Sequence, residues 1–196
     1  MTAYRARLTE FDIRRLVKST DEDERAAATH KLCRNMERVD LTPEDREAAE
    51  KILRVLAHDA AELVRRALAV TLKSSDLIPR DVARRLAADV DSVALPIIGF
   101  SPAFSDEDLI EIVKAGSKTR QVAIAARPSV SRDVCQVLAE TGSREAVRTL
   151  AANDNADLAE TDMDVVLDRF SDAPEVMTAL SYRQVLPPEI TERLIA

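Results

Sequence analysis

The sequence repeats itself, and that limits the folds open to it. Ser105 to Asp154, SDEDLIEIVKAGSKTRQVAIAARPSVSRDVCQVLAETGSREAVRTLAAND, holds two copies of one unit. Each copy is a helical stretch, a Gly-Ser break, a second helical stretch and a return loop. First helices are expected to begin at Pro79, Ser105, Ser131, Thr161 and Pro187, at intervals of 26, 26, 30 and 26 residues. Each start joins a capping residue or Pro to acid in the first turn, where the helix dipole favours negative charge. Ile78, Phe104, Val130 and Leu186 precede four of the five starts, where an apolar side chain can staple the loop onto the helix. The second helices are DSVALPIIGF, SKTRQVAIAAR, SREAVRTLAAN and APEVMTALSYR, and Pro102 and Pro128 stop two of them. A pair of ~10-residue helices is marginal alone, so such units must stack to shelter their apolar faces.

The same grammar extends upstream. Thr42-Pro43-Glu44-Asp45 opens a helix whose stripe is Ala48, Ala49, Ile52, Leu53, Leu56 and Ala57. After a break at His58-Asp59, Leu63, Val64, Ala67, Leu68 and Val70 to Leu72 form the second stripe of a hairpin over 42–75. Before it, Asp21 to Glu24 start a helix that puts Ala26, His30, Cys33, Met36 and Val39 on one face and ends near Asp40. Thr9 to Lys18 can form a short helix with Phe11, Ile13, Leu16 and Val17. The expected fold is an all-α, right-handed α-solenoid in a single domain, 1–196. Capping helices occupy 1–40 and the repeat array 42–196. Two departures stand out. Pro96 inside VALPIIGF should make its helix kink, shorten or start late, and the stretch from Asn153 to Glu160 lengthens one unit.

Composition agrees with helix. There are only 3 Gly and no Trp, and aromatics are 3%, so a core must be built from Leu, Ile, Val and Ala. The net charge is −7; residues 1–98 hold 18 basic and 18 acidic side chains, and 99–196 hold 10 and 17. An acidic excess argues against a nucleic-acid partner. Met1 to Leu8 is polar and basic with no apolar run behind it, so no secretory signal is expected. No apolar run reaches the ~20 residues that span a bilayer, and the expected compartment is the cytoplasm. Cys33 and Cys135 lie inside helical patterns and read as small buried apolar residues.

Catalytic signatures are missing from the sequence: no GxSxG, HExxH, Walker loop or GxGxxG occurs. His30 falls on the apolar side of its helix and His58 at a hairpin break, so each is expected to be structural. With Cys33 they do not give the four-ligand spacing of a zinc site. No cofactor or metal is expected, and no enzyme activity. The arginines offer more. Arg65, Arg66, Arg120, Arg127 and Arg148 sit in or near second helices. One expectation is structural: Asp59 for Arg65, Glu145 for Arg148. The other is that Arg65, Arg66, Gln121, Arg127, Arg148 and Asn153 present a face that grips an acidic peptide or a phosphate, since the planar guanidinium binds such groups at two points. Phe100 or Phe104, if exposed, would anchor a partner helix.

HDAAELVRRALAVTL (58–72) resembles the second helix of a HEAT-type repeat, and VSRDVCQVLAETGSREAVRTLAAND (130–154) is similar to the leucine-rich-variant repeat. With VALPIIGFSPAFSDEDLIEIVKAG, QVAIAARPSVS and VRTLAANDNA between and after them, roughly residues 45–170 resemble domain-of-unknown-function family two-three-three-six, an uncharacterised family found mainly in alphaproteobacteria. The resemblance implies an all-α repeat fold in the cytosol with no established chemistry. The iron–sulfur cluster of some leucine-rich-variant proteins sits in a cysteine-rich segment that this chain lacks. The expected function is therefore a non-enzymatic module, a scaffold, adaptor or regulator that binds a peptide or protein on a concave face. A nucleic-acid or nucleotide-phosphate binder using an arginine row, and an enzyme of unknown class, are the alternatives. The apolar ends of an open array could also support a homodimer.

Overall fold

A computed structural model describes residues 16, 18–37 and 41–195. Except for Leu16 and Lys18, the short helix expected over Thr9 to Lys18 lies outside these residues, as does Val39. The described residues form twelve α-helices and no strand. One isolated parallel bridge joins Val130 and Ala156. The chain divides into two compact units, Met1–Ala103 and Phe104–Ala196. No helix among the described residues is long and apolar enough to cross a membrane.

The first unit contains α1 (Glu22–Met36), α2 (Pro43–Leu56), α3 (Glu62–Leu72), α4 (Arg80–Ala87) and α5 (Asp91–Phe100). Helix α3 packs on both α1 and α5, with α2 against α3 and α4 against α5. Leu53, Val64, Leu68, Leu72, Leu86, Ile97 and Ile98 are fully buried in its core. The Thr42 hydroxyl caps α2 at the Asp45 N–H, and Pro43 occupies the first turn, as the sequence indicates. Two expectations need correction. His30 is exposed, because the buried row of α1 runs through Ala26, Thr29, Cys33 and Met36 and His30 stands one position off it. Its Nδ1 instead meets the Thr71 hydroxyl at 2.7 Å. In α2 only Ala49, Leu53 and Leu56 are buried; Ala48 is exposed and Ile52 is 37% exposed, so the stripe is narrower than expected. Helix α5 starts at Asp91 and runs through Pro96 to Phe100, neither shortened nor late.

The second unit contains α6 (Asp106–Lys114), α7 (Lys118–Ala125), α8 (Arg132–Thr141), α9 (Arg144–Ala151), α10 (Glu160–Arg169), α11 (Pro174–Ser181) and α12 (Pro188–Ile195). Like packs on like. First helices follow one another as α6 on α8, α8 on α10 and α10 on α12, while second helices pack α7 on α9 and α9 on α11. Ser105 forms a reciprocal capping box with Asp108.

The start of α10 differs from expectation. Its N-cap is Ala159 and not a residue at Thr161, and the Asp162 carboxylate accepts the Ala159 N–H at 3.3 Å. The steps from Ser131 to Ala159 and from Ala159 to Pro187 are thus equal, at 28 residues each, where 30 and 26 were expected. The physical reason is Leu158. It precedes the cap, as Ile78, Phe104 and Val130 precede theirs, and it is buried like them. Placing the start at Thr161 hides this staple.

Helix C-termini leave carbonyls without intrahelical donors. In this unit, side chains from further along the chain supply them. Gln121 donates from Nε2 to Val113 O and accepts the Ser143 N–H at Oε1, both at 2.9 Å. Asn153 donates to Ala125 O and Arg127 O, both at 2.9 Å. Arg169 reaches Ala139 O and Gly142 O. Arg183 spreads over Leu150 O, Ala151 O, Asn153 O and Ala156 O at 2.9–3.3 Å. Cations are favoured at helix C-termini by the dipole.

Gly142 closes α8 in a space that admits no side chain. A Cβ there would lie 2.4 Å from Leu138 O, the backbone oxygen its own N–H binds at 2.8 Å. Gly142→Ala is expected to destabilise the protein by about 2 kcal/mol, the scale of overpacking. Urea unfolding measures it, and an unchanged midpoint would refute the steric reading.

Candidate surface on the second helices

The structure sorts the predicted site residues by what already holds them. Arg65 closes a fork on Asp89, with Nε 2.6 Å from Oδ2 and Nη2 3.0 Å from Oδ1, while Nη1 donates to Asp59 O and Ala60 O. This bond holds the Asp89 carboxyl below its ordinary range and raises the guanidinium. The Asp59 carboxylate goes to Arg25 at 3.1 Å. Arg66 is exposed. Gln121 is buried, with both ends of its amide committed as described. Arg127 is buried too, and desolvation pushes its pKa down. Asn153 is half-buried under its two carbonyl partners. Of the arginines that a phosphate-binding row would need, Arg65 is thus spent on Asp89 and Arg127 is buried.

Of the two phenylalanines, only Phe100 meets the condition of exposure. It is 44% exposed, with Lys73 Nζ 4.2 Å above its ring; Phe104 is 8% exposed and packs as the staple before α6.

Arg148 stands apart. It lies on α9 and is exposed. Glu145, three residues before it, makes no ion pair with it; that carboxyl is held low first by its own backbone N–H and then by Lys118. The other arginines of the unit are tied. Arg132 pairs with Asp157, Arg144 with Asp172 and Glu175, and Arg193 with Asp164 and Asp168. Arg169 and Arg183 bind carbonyls, and Arg120 and Arg127 are engaged. Among the described residues of this unit, Arg148 is the exposed arginine with no hydrogen bond or ion pair.

Two open depressions flank it. One, of about 380 Å³, lies between α9 and α11 and is lined by Arg148, Ala152, Glu175, Thr178, Ala179 and Tyr182, with Arg183 at its edge. The other, of about 370 Å³, lies between α7 and α9 and shares Arg148 and Ala152, adding Ala126, Thr149 and Asn153. Tyr182 is 80% exposed at the end of this surface. Sequence reasoning missed Ala152, Thr178 and Tyr182. The signal was present: Arg148 and Ala152, like Thr178 and Tyr182, are four apart and opposite the buried rows Val147–Leu150–Ala151 and Val176–Leu180.

The surface presents a guanidinium, a phenol and small side chains. Among the described residues no group of three or more His, Cys, Asp or Glu is placed to hold a metal ion. His58 Nδ1 donates to Arg54 O at 2.8 Å. Cys33 and Cys135 are free and buried, and burial pushes each thiol up to about 12, far from a reactive thiolate.

Comparison with known families gives a match. The model of a family described as an uncharacterised protein conserved in bacteria (DUF2336) matches residues 93–196, more than half of the chain. No curated protein and no solved structure matches it.

Proposed function

The chain belongs to the DUF2336 family of bacterial proteins, and we propose that it works as a non-enzymatic interaction module in the cytoplasm. It binds a peptide or protein across the second helices α7, α9 and α11. The repeated hairpins act as a right-handed solenoid of HEAT-like or leucine-rich-variant-like units, with the second helices on the binding side. The regular spacing of the first helices and the packing of like on like within the second unit support that arrangement.

The observation that carries the functional reading is Arg148. Elsewhere in its unit the guanidinium groups serve the fold, and here one is held between two depressions with no such duty. Stacked helices fix the backbone that carries it, so binding has only the side chain left to order.

Affinity capture from bacterial cytosol with wild type, Arg148→Glu and Arg66→Glu tests it. Interactors held by wild type and by Arg66→Glu should fall at least about tenfold on Arg148→Glu, a loss of ~1.4 kcal/mol. Equal recovery by Arg148→Glu would place the binding surface elsewhere.

A further inference from the structure

We infer that the occupant of this surface is an acidic segment, in which a carboxylate side chain pairs with Arg148 and a neighbouring apolar side chain enters the depression between α9 and α11. The inference rests on the interaction reading above and names the chemistry of the partner.

Charge complementarity makes the choice. A guanidinium offers two parallel N–H donors and matches a carboxylate at two points. Neither nearby carboxylate pairs with Arg148: Glu145 lies at its own helix N-terminus, and Glu175, which lines the same depression, pairs with Arg144 at 3.7 Å. A basic segment would meet Arg148 unpaired and be repelled. An apolar segment without a carboxylate would cover the guanidinium and leave its donors unsatisfied, which is costly.

The second contact is set by the same depression. Ala152 and Ala179 form its small-residue floor, while Thr178 and the exposed Tyr182 add a hydroxyl and an aromatic ring beside it. Aromatic and arginine side chains supply most of the energy where proteins meet, because each combines large contact area with a directed polar group. Arg148 and Tyr182 occur together here, lining one cavity from adjacent helices. The depression, of about 380 Å³, is open to solvent, so it suits side chains laid across it better than a ligand that must be enclosed. That favours a short segment lying across the helices.

A phage-displayed random peptide library sorted on the full chain supplies the probe. Enriched peptides are expected to carry Asp or Glu next to an apolar or aromatic residue. Arg148→Glu should weaken them about tenfold or more, and so should Asp→Asn or Glu→Gln in the peptide. Tyr182→Ala should weaken them separately. Changing the peptide acid to Lys should restore binding to Arg148→Glu, a rescue that mere structural damage would not allow. If enriched peptides lose binding on Tyr182→Ala but show no acidic preference, this inference falls while the interaction surface stands. If no peptide is enriched, or binding ignores both substitutions, both fall together.

Discussion

Replacing Arg183 by Met will cost the protein about 4 kcal/mol and loosen its second unit before the first. The guanidinium serves four carbonyl oxygens at once, on Leu150, Ala151, Asn153 and Ala156. Two of these belong to the last turn of α9, where no helical N–H is left to pair them. A hydrogen bond from a charged donor contributes about 1.5–3 kcal/mol, and removing the donor strands the acceptors. The bonds are shared by one group, so their contributions do not add fully. The loop after α9 is held by further bonds beside it: Gln184 N–H meets Asp154 Oδ1 at 3.1 Å, and Asp157 N–H meets Val130 O at 2.9 Å. Met keeps the aliphatic bulk, so packing loss is a minor part of the change. Urea unfolding gives the magnitude, and hydrogen exchange should show amides 153–158 opening first. Arg183→Lys should recover a minor share, since an ammonium cannot fan across four acceptors. A loss below about 1 kcal/mol would mean water replaces the guanidinium freely.

The second large effect lies in the first unit. Arg65→Met leaves Asp89 charged and nearly sealed, its side chain only 6% exposed. Breaking one partner of a buried pair costs about 3–5 kcal/mol, and the Val90 N–H that Asp89 Oδ1 keeps at 2.8 Å offsets part of the loss. Arg65 itself is 14% exposed and also serves Asp59 O and Ala60 O, which places the loss in that range. Asp89→Asn in the same background should return part of the stability, since a neutral amide is cheaper to bury than a carboxylate. The pH dependence has a definite sign. The Asp89 carboxyl is depressed in the folded protein by its hydrogen bond with Arg65. Its contribution is complete above the unfolded carboxylate value of about 3.9 and fades as pH falls through the folded one. The gap in Tm between wild type and Arg65→Met should therefore be wide at neutral pH and close in acid. A gap that persists below that window would assign the effect to packing.

The sequence carried helix class and helix starts well, because caps, acid and Pro are local signals. DSVALPIIGF coincides with α5 end to end, Thr42 and Ser105 cap their helices through the side chain, and Ser131 holds its N-cap position without that bond. It misled where two local signals compete. Thr161 looks like a cap and Ala159 does not, yet the buried Leu158 decides, and its burial depends on tertiary packing. His30 shows the same limit, since one step around α1 moves a residue from core to solvent. The candidate surface was legible only in part. Which arginines are spent depends on partners 24 to 34 residues away, as with Arg65 on Asp89 and Arg25 on Asp59. No spacing rule predicts those pairings, so Arg65, Arg127 and Arg148 looked alike until their surroundings were known.

The carbonyl-capping side chains have a consequence for synthesis. Asn153 completes α7 from 26 and 28 residues downstream, and Arg183 completes α9 from 32 and 33. A hairpin leaving the ribosome is therefore unfinished until the following one has emerged. Ordering must trail elongation by about one hairpin, and a nascent chain paused before Asn153 would expose an α7 whose end is still bare.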